Sequence, residues 1–229
     1  MNRHVPIIRF FHYNNSMPIT TIFFDLDDTL YPASSGLWKL IKDRMNLFMH
    51  EKLEIRWDQI PNLRESYFHK YGTTLRGLQN HYQVDVDSYL EFVHDIPVSD
   101  YLSPNKRIKD LIDSLQQRKY IFTNADAGHA KRVLDALDLT GCFSGVIDIK
   151  TVEPYCKPMT PAFRIALEAA DEADASNCIL IDDLASTTKA GKEFGFYTIL
   201  FGKTGDAQEA NAYIQDFSEL PAIISEINN

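Results

Sequence analysis

Five short runs of apolar, β-branched and aromatic residues punctuate the chain, at 20–26, 119–123, 145–149, 178–182 and 196–201. Their near-continuous apolarity, as in TIFF and CILI, predicts strands covered on both faces. Between them the spacing lengthens to that of helices. Ala130, Val133, Leu134 and Leu137 mark one over 127–139, and Thr160-Pro161 opens PAFRIALEAADEA as a cap followed by proline at the first helical position. Such alternation predicts an α/β fold, a Rossmann-like parallel sheet with right-handed crossovers.

Residues 27–118 contain no convincing strand, and a loop of that length does not belong in a compact domain. Leu37, Leu40, Ile41, Met45 and Phe48 keep helical spacing. Leu63, Tyr67 and Tyr71 do so again, then Leu75, Leu78 and Tyr82, then Tyr89, Leu90 and Val93. The expectation is a cap of four short helices over 33–102, inserted after the first strand and hinged near 32–36 and 100–104. The α/β core then comprises 18–32 and 103–229. Residues 1–17, broken by Arg9 and Asn14-Asn15-Ser16, read as an N-terminal extension, with Met17 as an alternative start.

Composition narrows the partners. With 45% hydrophobic and 24% charged residues among 229, the chain can bury a substantial core. A net charge of −9 argues against a nucleic-acid polymer or an anionic membrane as partner. Cys142, Cys156 and Cys178 show no CxxC spacing, which disfavours a disulfide framework or structural zinc, and no apolar run approaches the ~20 residues of a membrane span. A cytoplasmic protein, monomeric or weakly homo-oligomeric, is expected.

The candidate chemistry lies where strands end. The first strand runs into Asp25-Leu26-Asp27-Asp28-Thr29, and period-two geometry would put the Asp25 and Asp27 carboxylates on one side. Asp182-Asp183 ends the run CILI. Either pair alone reads equally well as a polar turn or a solvated edge, but carboxylates converging from two strand ends require a cation. All-oxygen ligation selects a hard ion such as Mg²⁺, which commonly shares its coordination with substrate phosphate. Thr123 and Asn124 precede a helix whose N-terminus suits an anion, and Lys157 would offset charge. Singly, Thr123 reads as a structural hydroxyl and Lys157 as a surface lysine.

In order, DLDDTLY, TN, KP and DD resemble the four motifs of the haloacid dehalogenase superfamily of phosphohydrolases, over residues 18 to about 203. The resemblance implies Asp25 as nucleophile, forming an aspartyl-phosphate, and Asp27 as general acid and base. It implies Mg²⁺ held by the Asp25 side chain, the Asp27 backbone carbonyl and Asp183, with Asp182 direct or through water, and phosphoryl oxygens held by Thr123, Asn124 and Lys157. Asp27 favours phosphoryl transfer, because the dehalogenase branch lacks that aspartate. The segment LASTTKAGKEFG departs from the usual serine and asparagine, leaving Thr187 or Thr188 as substitutes near the metal.

DLDDTLYP, YGTTLRGL at 71–78 and TNADAGHA at 123–130 further resemble the pyrimidine 5'-nucleotidase-like branch. That implies a small phosphorylated metabolite as substrate, a nucleoside monophosphate first. Arg76 is then a candidate contact to base or ribose, with Tyr67, Tyr71 or His81 stacking on a ring; cap core is the alternative for these aromatics. His129 reads as a capping or surface residue. The other functions open to the chain are a sugar-phosphate phosphatase, a phosphomutase, or a non-catalytic regulatory protein on this fold.

Overall fold

The computed structural model describes residues 18–203 and 205–228. The proposed extension, including Met17, lies outside the described residues. Strand β1 (Thr21–Phe24) is followed by four helices, α1 (Leu37–Leu53), α2 (Ile60–Tyr71), α3 (Thr74–Tyr82) and α4 (Val86–His94). Then come α5 (Lys106–Ser114), β2 (Arg118–Phe122), α6 (Ala127–Ala136), β3 (Gly145–Ile147), α7 (Thr160–Ala169), β4 (Cys178–Asp182), α8 (Ala185–Phe194), β5 (Tyr197–Phe201), β6 (Ala212–Ile214) and α9 (Leu220–Ile227).

The strands form one sheet in the order β3-β2-β1-β4-β5-β6, every pairing parallel. All four residues of β1 are buried, as expected of a central strand covered on both faces. Alternation decides which side chain goes where. Ile22 and Phe24 join the larger core with Ile121, Ile181 and Ile199, while Phe23 joins Phe122, Phe163 and Phe196 on the opposite face. Phe23 meets Phe122 and Phe196 edge-on, with centroids 6.2 and 5.7 Å apart.

Strand order reverses at β1: the chain moves outward through β2 and β3, then returns to place β4 on the other side. That switch point opens a crevice at the carboxyl ends of β1 and β4. Register makes the crevice acidic, because Phe24 pairs with Ile181 and the Asp25 N–H donates to the Ile181 carbonyl at 2.9 Å. Asp25 and Asp182 are therefore level on neighbouring strands.

The four expected cap helices are present, although α1 runs to 17 residues, longer than the expectation of short helices. Phe48 of α1 packs edge-on against Tyr89 and Phe92 of α4, at 5.0 and 5.4 Å. Thr160 begins α7 and Met159 occupies its N-cap position, one residue earlier than the expected threonine cap. Helices α5, α8 and α9 and strand β6 carry no expectation above. Strand β6 is a three-residue edge, and α5 buries only Ile112 completely, so their patterns are faint. Among the described residues the three cysteines are free and buried, and no helix is long and apolar enough to cross a membrane.

Helix α3 lies against α2 at Gly77. A Cβ added there would come within 2.2 Å of the Tyr67 Cγ and 2.4 Å of its Cβ, atoms at the base of the ring that cannot swing aside. Helix propensity favours alanine over glycine by about 1 kcal/mol. Overpacking at such a contact costs about 1–3 kcal/mol. Gly77→Ala is therefore expected to lower stability, read as a lower urea midpoint; an unchanged or higher midpoint would show that α2 and α3 separate freely.

Candidate active site

Three carboxylates meet at the switch point. Oxygens of Asp25, Asp182 and Asp183 lie within 4.8 Å of one another, and Asp25 and Asp182 are buried. Lys157 stands between them, its Nζ donating to Asp25 Oδ1 and Asp182 Oδ2, each at 2.7 Å. The lysine is almost fully buried, so its ammonium has exchanged water for carboxylates. Burial alone would lower its pKa, but Asp182 and Asp25 together raise it above the ordinary lysine range.

One lysine does not balance three acids. Asp25 is pushed up to about 8, first by burial, with Lys157 drawing it down and Asp182 and Asp183 pushing it further up. Asp183 is also raised, by burial and then by Asp182, against the pull of Lys203 at 3.0 Å. A buried set of hard oxygens that strains to ionise fits a hard divalent cation. Asp182 has less to offer such an ion, since Oδ2 accepts from Lys157 and Oδ1 accepts the Leu184 N–H at 2.9 Å.

The DLDDT segment departs from the period-two expectation. The chain leaves the extended conformation after Asp25, with Leu30 N–H bonding back to the Leu26 carbonyl at 2.9 Å and Asp28 at a left-handed φ of 60°. This turn returns Thr29 to Asp25, where its hydroxyl donates to Oδ2 at 2.9 Å. It also turns the Asp27 side chain away from the other acids, towards Tyr31 at 2.5 Å and His129 at 2.9 Å. Burial would raise Asp27, but His129 and the bonds from His129 and Tyr31 leave it below the usual carboxylate range. Oδ1 of Asp27 is thereby taken up by Tyr31 and His129. Asp28, by contrast, is raised to about 6, by burial and then by Asp183 and Asp27.

Thr123 follows β2 and lies on the wall of the same crevice, its Oγ1 accepting the Ala125 N–H at 3.0 Å. The Asn124 side chain is committed elsewhere. Its Nδ2 donates to the Lys157 carbonyl at 3.0 Å and its Oδ1 accepts the Lys157 N–H at 2.9 Å, so this amide holds the lysine loop in place. Thr188 is buried and donates to the Ala185 carbonyl of its own helix at 3.2 Å, away from the acids.

The cap expectations need correction. Arg76 does not face the crevice: its Nη2 donates to the carbonyls of Ile149 and Tyr155 at 2.9 and 2.8 Å, and its Nη1 bonds Gln79 and Glu153. It is 4% exposed and ties α3 to the core loop before Lys157. Gly72 makes the same junction closer, since a Cβ there would lie 2.9 Å from the Lys157 carbonyl oxygen. Tyr71 bonds His81 at 2.9 Å and both rings pack on Tyr67, the cap-core alternative. Thus YGTTLRGL chiefly docks the cap, although Thr73, Thr74 and Leu75 do reach the cavity wall.

The cavity between cap and core has a volume of about 430 Å³ and runs from Asp25, Thr123 and Lys157 to Trp38, Lys42, Met45, Arg64, Phe68 and Tyr89. His129, read as a capping or surface residue, is fully buried on α6, where its backbone N–H donates to the Asp126 cap. Its ring stacks on His94 of α4 with centroids 4.3 Å apart, and His94 Nδ1 bonds Asp126. Neither the depth of His129 nor its meeting with His94 leaves a trace in local sequence pattern.

A family model of haloacid dehalogenase-like hydrolases matches residues 19–195. Phosphate metabolism protein 8 of Saccharomyces cerevisiae is 29% identical over 187 residues, covering 76% of this chain and 58% of that protein. The chain thus spans under two thirds of that curated relative. Among solved structures, the HAD-hydrolase YfnB of Bacillus subtilis, bound to magnesium, superposes with a TM-score of 0.61 at 18% identity, over 91% of this chain and 99% of that one. β-Phosphoglucomutase of Clostridium difficile gives 0.61 at 16% over 93% and 98%, and 2-haloacid dehalogenase of Pseudomonas syringae 0.55 at 20% over 90% and 98%. At these identities the likeness is one of fold.

The raised Asp25 has a measurable consequence. Its folded pKa of about 8 exceeds the unfolded value of 3.8, so its contribution to stability is complete below that lower value and is lost as pH rises through about 8. A bound cation needs the carboxylate and displaces the proton. Mg²⁺ titrated calorimetrically at pH 7, in two buffers of different ionisation enthalpy, is expected to release protons, and Asp25→Asn to reduce the release. Identical heats in both buffers would contradict the cluster's charge balance.

Proposed function

The chain belongs to the haloacid dehalogenase-like hydrolases, and on that footing we propose that it is a Mg²⁺-dependent phosphomonoester hydrolase whose substrate is a nucleoside monophosphate, a pyrimidine nucleotide first. The observation that carries this reading is the separation of two carboxylates: Asp25 sits inside the acidic cluster beside Lys157, while Asp27, two residues on, is held apart from it. A nucleophile needs charge neutralisation around it. An acid and base needs a different environment from its neighbour's.

Asp25, Asp183 and the Asp27 carbonyl would hold Mg²⁺, with Asp182 orienting Lys157 beside them. The ion would screen negative charge between the phosphoryl group and the carboxylates. Lys157 and Thr123 support the phosphoryl oxygens, and Asn124 fixes the lysine loop. Asp25 attacks phosphorus as Asp27 gives a proton to the departing oxygen; Asp27 then takes a proton from the water that releases phosphate from Asp25.

The substrate assignment rests on the cavity. Its far wall brings Trp38, Phe68 and Tyr89 together with Lys42 and Arg64, flat apolar faces beside cations, which suit an aromatic base better than a bare sugar. Three buried free thiols fit a reducing, cytoplasmic setting.

Phosphate release from nucleoside monophosphates and sugar phosphates, with and without Mg²⁺, tests the proposal. Pyrimidine nucleotides are expected to turn over fastest, only with Mg²⁺, and Asp25→Asn to abolish turnover. Asp27→Asn should lower kcat by about 10²–10⁴-fold with Mg²⁺ affinity nearly unchanged. Release surviving in Asp25→Asn would overturn the covalent mechanism, and a sugar phosphate outpacing every nucleotide would overturn the substrate class.

A further inference from the structure

Asp27 is gripped on one side only. Both of its donors, the Tyr31 hydroxyl at 2.5 Å and His129 Nε2 at 2.9 Å, converge on Oδ1. No hydrogen bond within the described residues engages Oδ2, and Asp27 lines the cavity. The last torsion of an aspartate is broad and nearly two-fold, so an unrestrained carboxyl would sweep both oxygens through the crevice. Two donors on one oxygen remove that freedom.

The second donor is itself secured. His129 is completely buried on the first turn of α6, and its backbone N–H donates to Asp126 Oδ1 at 2.9 Å. Its ring lies face to face with His94 at 4.3 Å and 19°. The other Asp126 oxygen holds His94 Nδ1, and Arg132 donates to the His94 carbonyl at 2.9 Å. His94 belongs to the last turn of α4, so a cap residue backs a core residue that holds Asp27.

We propose that His129, backed by His94 and paired with Tyr31, is a positioning residue that fixes Asp27 with Oδ2 as its single working oxygen. The inference deepens the phosphatase reading and rests on it. In the first half-reaction an Asp25 oxygen bonds phosphorus, and the pair from the breaking P–O bond goes to the leaving oxygen, which takes from Oδ2 a proton that Asp27, ionised in the resting site, first accepts from the incoming phosphate monoanion or from solvent. In the second, a water oxygen bonds phosphorus, its proton passes to Oδ2, and the pair of the Asp25–phosphorus bond returns to Asp25. An Asp27 free to turn impairs both proton transfers but leaves the attack of Asp25 intact.

Leaving-group chemistry separates this role from a merely structural one. An alkyl phosphate needs its departing oxygen protonated, whereas p-nitrophenyl phosphate releases a stable phenolate unaided. With the full chain and Mg²⁺, His129→Leu is expected to lower kcat on the best alkyl phosphate by about 10²-fold or more, with KM changed little. On p-nitrophenyl phosphate the same variant should give a stoichiometric burst of nitrophenolate at near wild-type rate, followed by slow turnover as Asp27 fails to activate water. His129→Gln, whose amide can still donate to Oδ1, should recover a large part of the alkyl-phosphate rate. Should His129→Leu not fold, Tyr31→Phe removes the other donor and is expected to show the same bias towards p-nitrophenyl phosphate at smaller size. Equal loss of the first step on both substrates, or a change confined to KM, would overturn the positioning role. A wild-type chain inactive on both substrates, or an active Asp25→Asn, would instead overturn the phosphatase reading beneath it.

Discussion

Three acids and one lysine closed in at a strand crossover are the constraint around which this molecule is arranged. Each carboxylate brought out of water is costly, and the ammonium of Lys157 repays that only where its geometry is tight, as in its two 2.7 Å contacts. The rest of the site exists to keep those contacts. Asn124 clamps the lysine backbone from the end of β2, Leu184 N–H holds the far oxygen of Asp182, and Thr29 holds the far oxygen of Asp25. The remaining negative charge is what makes the cluster receptive to a divalent cation.

That constraint also explains which features were readable in the sequence. A strand buried on both faces must be apolar along its length, and acids directly after such a run are conspicuous because nothing in the core could host them. Strands β1, β2 and β4, and the convergence of Asp25, Asp182 and Asp183 beyond them, were therefore legible. The Asp27 side chain was not placed correctly, since period-two reasoning assumes a strand that has already become a turn at Leu26. Arg76 was misplaced for another reason. A buried arginine that ties two segments and one that reads a ligand have the same letter and the same neighbours, and only the carbonyls of Ile149 and Tyr155 distinguish them. His94 and His129 stand 35 positions apart on helices of ordinary pattern, and their stacking depends on how α4 descends onto α6.

Two of the seams along which the cap meets the core differ in character. One is the Gly72 to Arg76 junction, where the glycine carries a φ of 82° and the arginine bonds the loop leading to Lys157. The other is the contact of His94 with Asp126, His129 and Arg132 at the end of α4. Both seams touch a segment that shapes the site, the first the lysine loop and the second the support of Asp27. A shift of the cap cannot leave the two sides of the crevice equally undisturbed.

This coupling gives the wide cavity a physical role beyond admitting a ligand. Packed seams have discrete arrangements and do not deform continuously, so a displacement of the cap helices also bears on how Arg76 and His94 seat. Trp38, Lys42 and Arg64 lie on α1 and α2, and Phe68 of α2 adjoins the first seam, its carbonyl accepting the Gly72 N–H at 2.9 Å; all four are carried by the same four-helix packing. Phe48 of α1 packs on Tyr89 and Phe92 of α4, and α4 ends at His94, whose ring stacks on that of His129. Asp27 is thus held by two core residues, Tyr31 and His129, with the cap's His94 stacked behind the second, whereas Asp25 is held by Lys157 and Thr29 of the core alone, so that of the two carboxylates only Asp27 has a support that reaches the cap.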